Sequence, residues 1–194
     1  MTRSTMNSMS YGIRKPLDLL AKLIADASKI TASPHPHDIF NFLVTAAVLN
    51  EWIGKYYPDD PIVKALKNAQ KEKDWTKFPA ETSTWISNTE CLPNKGCDPR
   101  RHAWNATRIC WDTANASKHF QWTNGSNVSA IEDNSKIKDW YQYFFTSTAP
   151  GLFIEYAGEY YSIEQIKEIV VQLYSGLLSH VEQPQTHASS GASI

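Results

Sequence analysis

Apolar positions recur at helical spacing through most of this chain. From about Ile13 to Ile30 they fall at Leu17, Leu20, Ala21, Ile24 and Ala27, one face of an amphipathic helix. The loop TASPHPHD ends that run, and Asp38 is expected to cap a second helix, from about Ile39 to Tyr57, stopped by Pro58. Phe40, Phe42, Leu43, Val44, Ala46, Ala47, Val48, Leu49 and Ile53 leave this helix little polar surface, which places it at the centre of the core. Its polar exceptions include Asn41, Thr45, Asn50 and Glu51, and a buried Asn41–Thr45 pair would have to find hydrogen-bonding partners. Pro61 opens a shorter helix to about Lys71. Residues 74–100 are irregular, with a short helix expected around Phe78–Ser87 and a Pro-Asn-Lys-Gly turn at 93–96.

The next stretch, Arg101 to Phe120, contains no Pro or Gly and reads as one helix of about five turns. At roughly 100° per residue, Arg101, Asn105, Arg108, Asp112, Asn115 and His119 fall on one side. Ala103, Ala106, Ile109, Cys110, Ala114 and Phe120 take the other, and Trp104 and Trp111 flank the polar line. A surface helix ordinarily shows Lys and Glu on its wet face. This one aligns Arg, Asp, amides and His between indoles, a polar seam able to hold a charged ligand. The same residues also admit a plain structural account: Arg108 and Asp112 as an i,i+4 pair, and His119 complementing the helix C-terminus.

After Phe120 the segment QWTNGSNVS is turn-rich, and Asn124-Gly125 is a strong turn signal. Trp140–Thr146 and Gly151–Tyr156 are aromatic and β-prone, and predict a hairpin over about 139–157. A lone hairpin is marginal in water, so it must pack on the helices. Ser162 and Gln165 form a capping box at the start of a last helix, which turns Ile163, Ile166, Ile169, Val170, Leu173 and Leu177 inward. Residues 1–11 are expected to be flexible, and 182–194 lack any hydrophobic pattern and are expected to be a disordered tail. The expected fold is therefore mainly α: one domain over 12–181, a bundle of about five helices, with one β-hairpin before the C-terminal helix.

Composition narrows the function classes. Nineteen basic and twenty acidic side chains leave a net charge of −1, so RNA or DNA binding would need a local patch rather than a global field. Lys64, Lys67 and Lys71 share one face of the third helix and, with Arg101, make the candidate RNA contacts; a solvated face is the plainer account of the lysines. The three cysteines form no disulfide framework, although Cys91 and Cys97 are close enough in sequence to bridge. No Cys-x-x-Cys or paired-His spacing supplies a zinc site, and His35 and His37 belong to a helix-entry loop. No metal or cofactor is expected. The N-terminal residues lack an apolar signal segment and no run of about 18 apolar residues occurs, so a cytoplasmic protein without a membrane span is expected.

The strongly apolar helix FNFLVTAAVLNEWI, followed downstream by WDTANASKHF with its Asn-x-x-x-His ending, resembles the HEPN superfamily of small α-helical proteins. More narrowly, the two segments resemble a family of uncharacterised bacterial helical proteins. Many HEPN proteins are metal-independent RNases of toxin–antitoxin and anti-phage systems. Their usual signature is an Arg, often followed directly by Asn, with His about four to six residues after the Arg. Asn115 and His119 match the Asn-to-His part, while Ala114 stands where the signature has Arg, and Arg108 lies three turns before His119. The resemblance implies His119 as general base, Arg108 as phosphate clamp, Asp112 orienting Arg108 and Asn115 positioning a phosphate oxygen. Asn41, Thr45 and Glu51 would support them. It also implies a homodimer that pairs two motif helices in one cleft, and RNA as substrate. The competing expectation is a catalytically silent HEPN-like interaction protein that binds a protein partner through its aromatic surface.

Overall fold

The computed structural model describes residues 12–31, 34–119, 128–133 and 152–183, and in residues 117–119, 128–133 and 152 the backbone only. The two terminal segments expected to lack structure fall outside these residues, except for 182 and 183. The architecture is mainly α: α1 (Pro16–Ser28), α2 (Pro36–Tyr56), α3 (Pro61–Glu72), a short α4 (Thr82–Trp85), α5 (Pro99–His119) and α6 (Ile163–Glu182). Strands β1 (Val128–Asp133), β2 (Leu152–Tyr156) and β3 (Glu159–Ser162) lie between the last two helices.

Proline opens α1, α2, α3 and α5. Its fixed φ suits the first helical residue, and its missing N–H is a donor the helix start cannot use. At α3 the Asp60 carboxylate accepts from the backbone N–H groups of Ile62 and Val63, each at 2.9 Å. At α2 the expected cap is corrected. His35 is the cap, its Nδ1 accepting from the His37 N–H at 3.2 Å. Pro36 nucleates the turn two residues upstream of Asp38, which is left inside the first turn, where it complements the positive helix end. The Ser162–Gln165 capping box stands as read, with bonds of 2.9 and 3.1 Å.

α2 packs on α1 and α5, and α6 packs on α1, α4 and α5. Phe42, Leu49, Ala106, Ile109, Ile166, Ile169 and Leu177 are fully enclosed among them. At Gly176 of α6 a Cβ would stand 2.3 Å from Cγ of Trp85, so only glycine lets α4 approach that closely. The end of α6 is tied to the α2–α3 corner by His180 Nε2, 3.5 Å from the Asp60 carboxylate, and by the Tyr57 hydroxyl, which donates to Glu182.

The strands form one antiparallel sheet in the order β1-β2-β3. β2 and β3 make the hairpin directly before α6, with Ile154 opposite Tyr161. Its two-residue turn, Ala157-Gly158, has φ of 52° and 77°, the two positive values of a type I′ turn, and Gly158 takes its share without strain. The expected strand Gly151–Tyr156 is thus β2, while Trp140–Thr146 lies outside the described residues. β2 is flanked instead by β1 and β3, neither of which the pattern marked as a strand. β1 begins inside the stretch read as turns, and β3 has only four residues. Cys91, Cys97 and Cys110 are all free thiols. No helix among the described residues is long and apolar enough to cross a membrane.

Candidate functional site

α5 starts at a compact cap. The Asp98 carboxylate accepts from the Arg100 N–H at 2.9 Å and from its guanidinium Nε at 2.8 Å, and that side-chain bond holds the Asp98 carboxyl below the usual range. From there the polar side of the helix divides into two parts, because different elements face it along its length.

The first part meets the hairpin. Arg101 lies 2.9 Å from one Glu159 oxygen, and the Tyr161 hydroxyl donates to the other at 2.8 Å. Asn105 donates to the Tyr161 oxygen at 2.7 Å. His102, with no exposed surface, has Nδ1 3.0 Å from the same hydroxyl and Nε2 3.0 Å from the Asn94 carbonyl, to which it donates. Burial pushes the Tyr161 hydroxyl well above its ordinary pKa, so it stays protonated at neutral pH. This cluster stitches α5 to β3 and to the turn at 93–96. Its hydrogen bonds are internal, which suits a structural polar network. Arg101, expected as an RNA contact, is committed here.

The second part faces α2 and α3 across a groove of about 480 Å³. α5 contributes Thr107, Arg108 and Trp111 at one-turn spacing, and α3 contributes Lys67, Asn68, Gln70 and Lys71. Asn50 of α2 forms the floor with Gln70, donating to its side-chain oxygen at 3.1 Å. The Arg108 guanidinium is held 3.2 Å from Asp112 and 5.9 Å from the centroid of the Trp104 indole. Lys67 lies across α2 at Gly54 and donates to the Gly54 carbonyl at 2.7 Å; a Cβ there would meet its Cε at 2.5 Å. Among the described residues, neither Lys67 nor Lys71 has a carboxylate within ion-pair distance.

Three of the expected residues, Arg108, Lys67 and Lys71, therefore converge, with Asp112 behind Arg108. Others do not. Lys64 points to Asp59 at 3.4 Å, and Glu51 lies 4.0 Å from Lys55. Asn41 is exposed. Thr45 is buried but finds its partners on α1, not α5: Lys22 donates to its hydroxyl at 2.7 Å, and the hydroxyl donates to Asp26 at 2.9 Å. The reason is packing, since α1 covers that side of α2. Asn115 is half-buried one turn beyond Trp111. His119 is the last residue of α5, and its side chain lies outside the described residues.

No protein-family model matches this chain, and no curated protein and no solved structure matches it either.

The groove gathers three cations, side-chain amides and an indole on a concave surface. Arg and Lys together attract phosphate oxygens, and the indole offers a stacking face. No group of three or more metal-ligating side chains occurs among the described residues. Neither His nor a carboxylate stands among the described residues that line the groove. Eleven residues separate Arg108 from His119, which is about 16 Å along a helix axis. Sequence reasoning missed His102, Glu159 and Tyr161. The one signal for them was the alternation in EYYS, which puts Glu159 and Tyr161 on a common strand face.

Proposed function

We propose that this protein is a HEPN-like RNA-binding protein of bacterial or phage conflict systems. In this reading it holds an RNA strand in the groove between α3 and α5 and cleaves it without metal through His119. The observation that carries the reading is the convergence of Lys67, Lys71 and Arg108 around Trp111, a local basic patch on a chain of net charge −1. In this reading Arg108, about 16 Å along the helix from His119, serves strand binding. The resemblance also implies a homodimer. Trp104 and the apolar residues along the middle of α2 are buried or half-buried within one copy, and Phe40 and Tyr56 are exposed only at its two ends, so a second copy would complete a cleft rather than cover a broad apolar face.

A second reading, a catalytically silent relative that binds a partner, is supported by the Arg101–Glu159–Tyr161–Asn105–His102 network, which turns half of the polar seam into internal structure. Incubation of the purified chain with single-stranded RNA in the presence of a chelator separates the two. The enzyme reading expects cleavage by the wild type and a loss of about 10²–10⁴ in rate for His119→Ala, with RNA binding retained. RNA that is bound but left intact overturns cleavage and leaves RNA binding. RNA that is not bound overturns the first reading and leaves the silent interaction protein standing.

A further inference from the structure

We propose that the groove between α2, α3 and α5 is a subsite for one unpaired nucleotide. Its base lies on the Trp111 indole beside the Asn50–Gln70 amide pair, and its phosphate lies between Lys71 and Arg108. The inference rests on the RNA-binding reading and names the structural class of RNA.

Four observations support it. The first is size: a groove of about 480 Å³ lies within the range of small-ligand sites, and a helical duplex about 20 Å across cannot enter it, whereas a single splayed nucleotide can. The second is the indole. Trp111 is half-buried on the groove wall, and no other ring stacks on it among the described residues. Unpaired bases bind proteins by stacking on such faces, and paired bases present no free face to them. The third is the amide pair. The Asn50-to-Gln70 bond uses one donor and one acceptor, fixing both side chains while leaving the Asn50 oxygen and the Gln70 amino group for a base edge. A Watson–Crick edge is available to them only when the base is unpaired. The fourth is the cations. Asp112 holds Arg108 from behind, and Gly54 lets Lys67 lie flat, so two of the three charges are positioned before any ligand arrives.

Anisotropy titrations of the full chain test this, using a labelled single-stranded RNA decamer, the same decamer as a blunt duplex, and a nucleoside monophosphate in competition. The decamer is expected to bind at least tenfold more tightly than the duplex, and the monophosphate to displace it. Trp111→Leu is expected to weaken decamer binding on the order of tenfold with the salt dependence unchanged. Lys71→Ala, at an exposed position, is expected to weaken it and to reduce the salt slope by about 0.7. Gly54→Ala is expected to weaken it without loss of melting temperature, because the added methyl displaces only the flexible end of Lys67. Duplex bound as tightly as single strand overturns the subsite. So does decamer binding that is unchanged in both Lys71→Ala and Gly54→Ala, and in that case the RNA-binding reading stands with its site elsewhere. Binding of neither RNA nor monophosphate overturns both.

Discussion

The Tyr161 hydroxyl is shared by His102, Asn105 and Glu159, side chains of α5 and β3 that otherwise have no common partner. Tyr161→Phe removes that oxygen and takes a hydrogen-bond partner from the buried His102 and Asn105 and from the part-buried Glu159. The expected cost is about 1–3 kcal/mol, or about 2–4 °C of melting temperature per kcal/mol for a chain of this size, read by thermal denaturation. RNA binding by the surviving folded protein should be unchanged, because the groove is built from other side chains. A loss of binding without a loss of stability would place the cluster in the functional site instead. At this scale the sequence was half legible. Angular arithmetic along α5 correctly separated its apolar side, since Ala103, Ala106, Ile109 and Cys110 are all fully buried. The same arithmetic merged Arg101 with Arg108, because a helical wheel has no axial coordinate and cannot show that β3 faces one and α3 the other. His102 went unread because its partners, Asn94 and Tyr161, come from a turn and a strand elsewhere in the chain.

Between elements, glycine contacts decide how closely helices approach. Gly176 of α6 takes Trp85 of α4 at a point where an added Cβ would stand 2.3 Å from Cγ and 2.5 Å from Cβ of the indole side chain. Those are stem atoms, anchored to the α4 backbone, so Gly176→Ala forces the helix pair apart. Overpacking of this kind costs about 1–3 kcal/mol, against about 1 kcal/mol gained from helix propensity. The expected result is a net loss of up to about 2 kcal/mol, and a raised melting temperature would show that α4 shifts freely. The long helices were legible because each carries its own start signal and a run of apolar positions at helical spacing. β1 and β3 were not. Six and four residues are too few for alternation to stand out, and the Ala-Gly turn between β2 and β3 lacks the Asn-Gly or Asp-Gly signature that marks a tight hairpin.

For the whole molecule, the apolar faces of the helices are largely covered within one chain. The large apolar side chains left exposed among the described residues, Ile24, Phe40, Tyr56 and Tyr160, are spread over α1, the two ends of α2 and β3. The dimer rests on the proposed HEPN-like reading: were Arg108 and His119 to act on one phosphate, about 16 Å of helix between them would ask a second copy to complete the site. Light scattering at micromolar concentration is expected to give the mass of two chains, and a monomer that still cleaves RNA would remove the composite site. The position of α6 has a further consequence, which lies in synthesis. It packs on α1, α4 and α5, and all three leave the ribosome before it does. Their apolar faces must wait, wet and exposed to chaperones and proteases, until Ile163 and the residues after it emerge. A chain that stops upstream of that residue keeps the α1–α2 and α2–α5 contacts but lacks the helix that covers the remaining apolar faces.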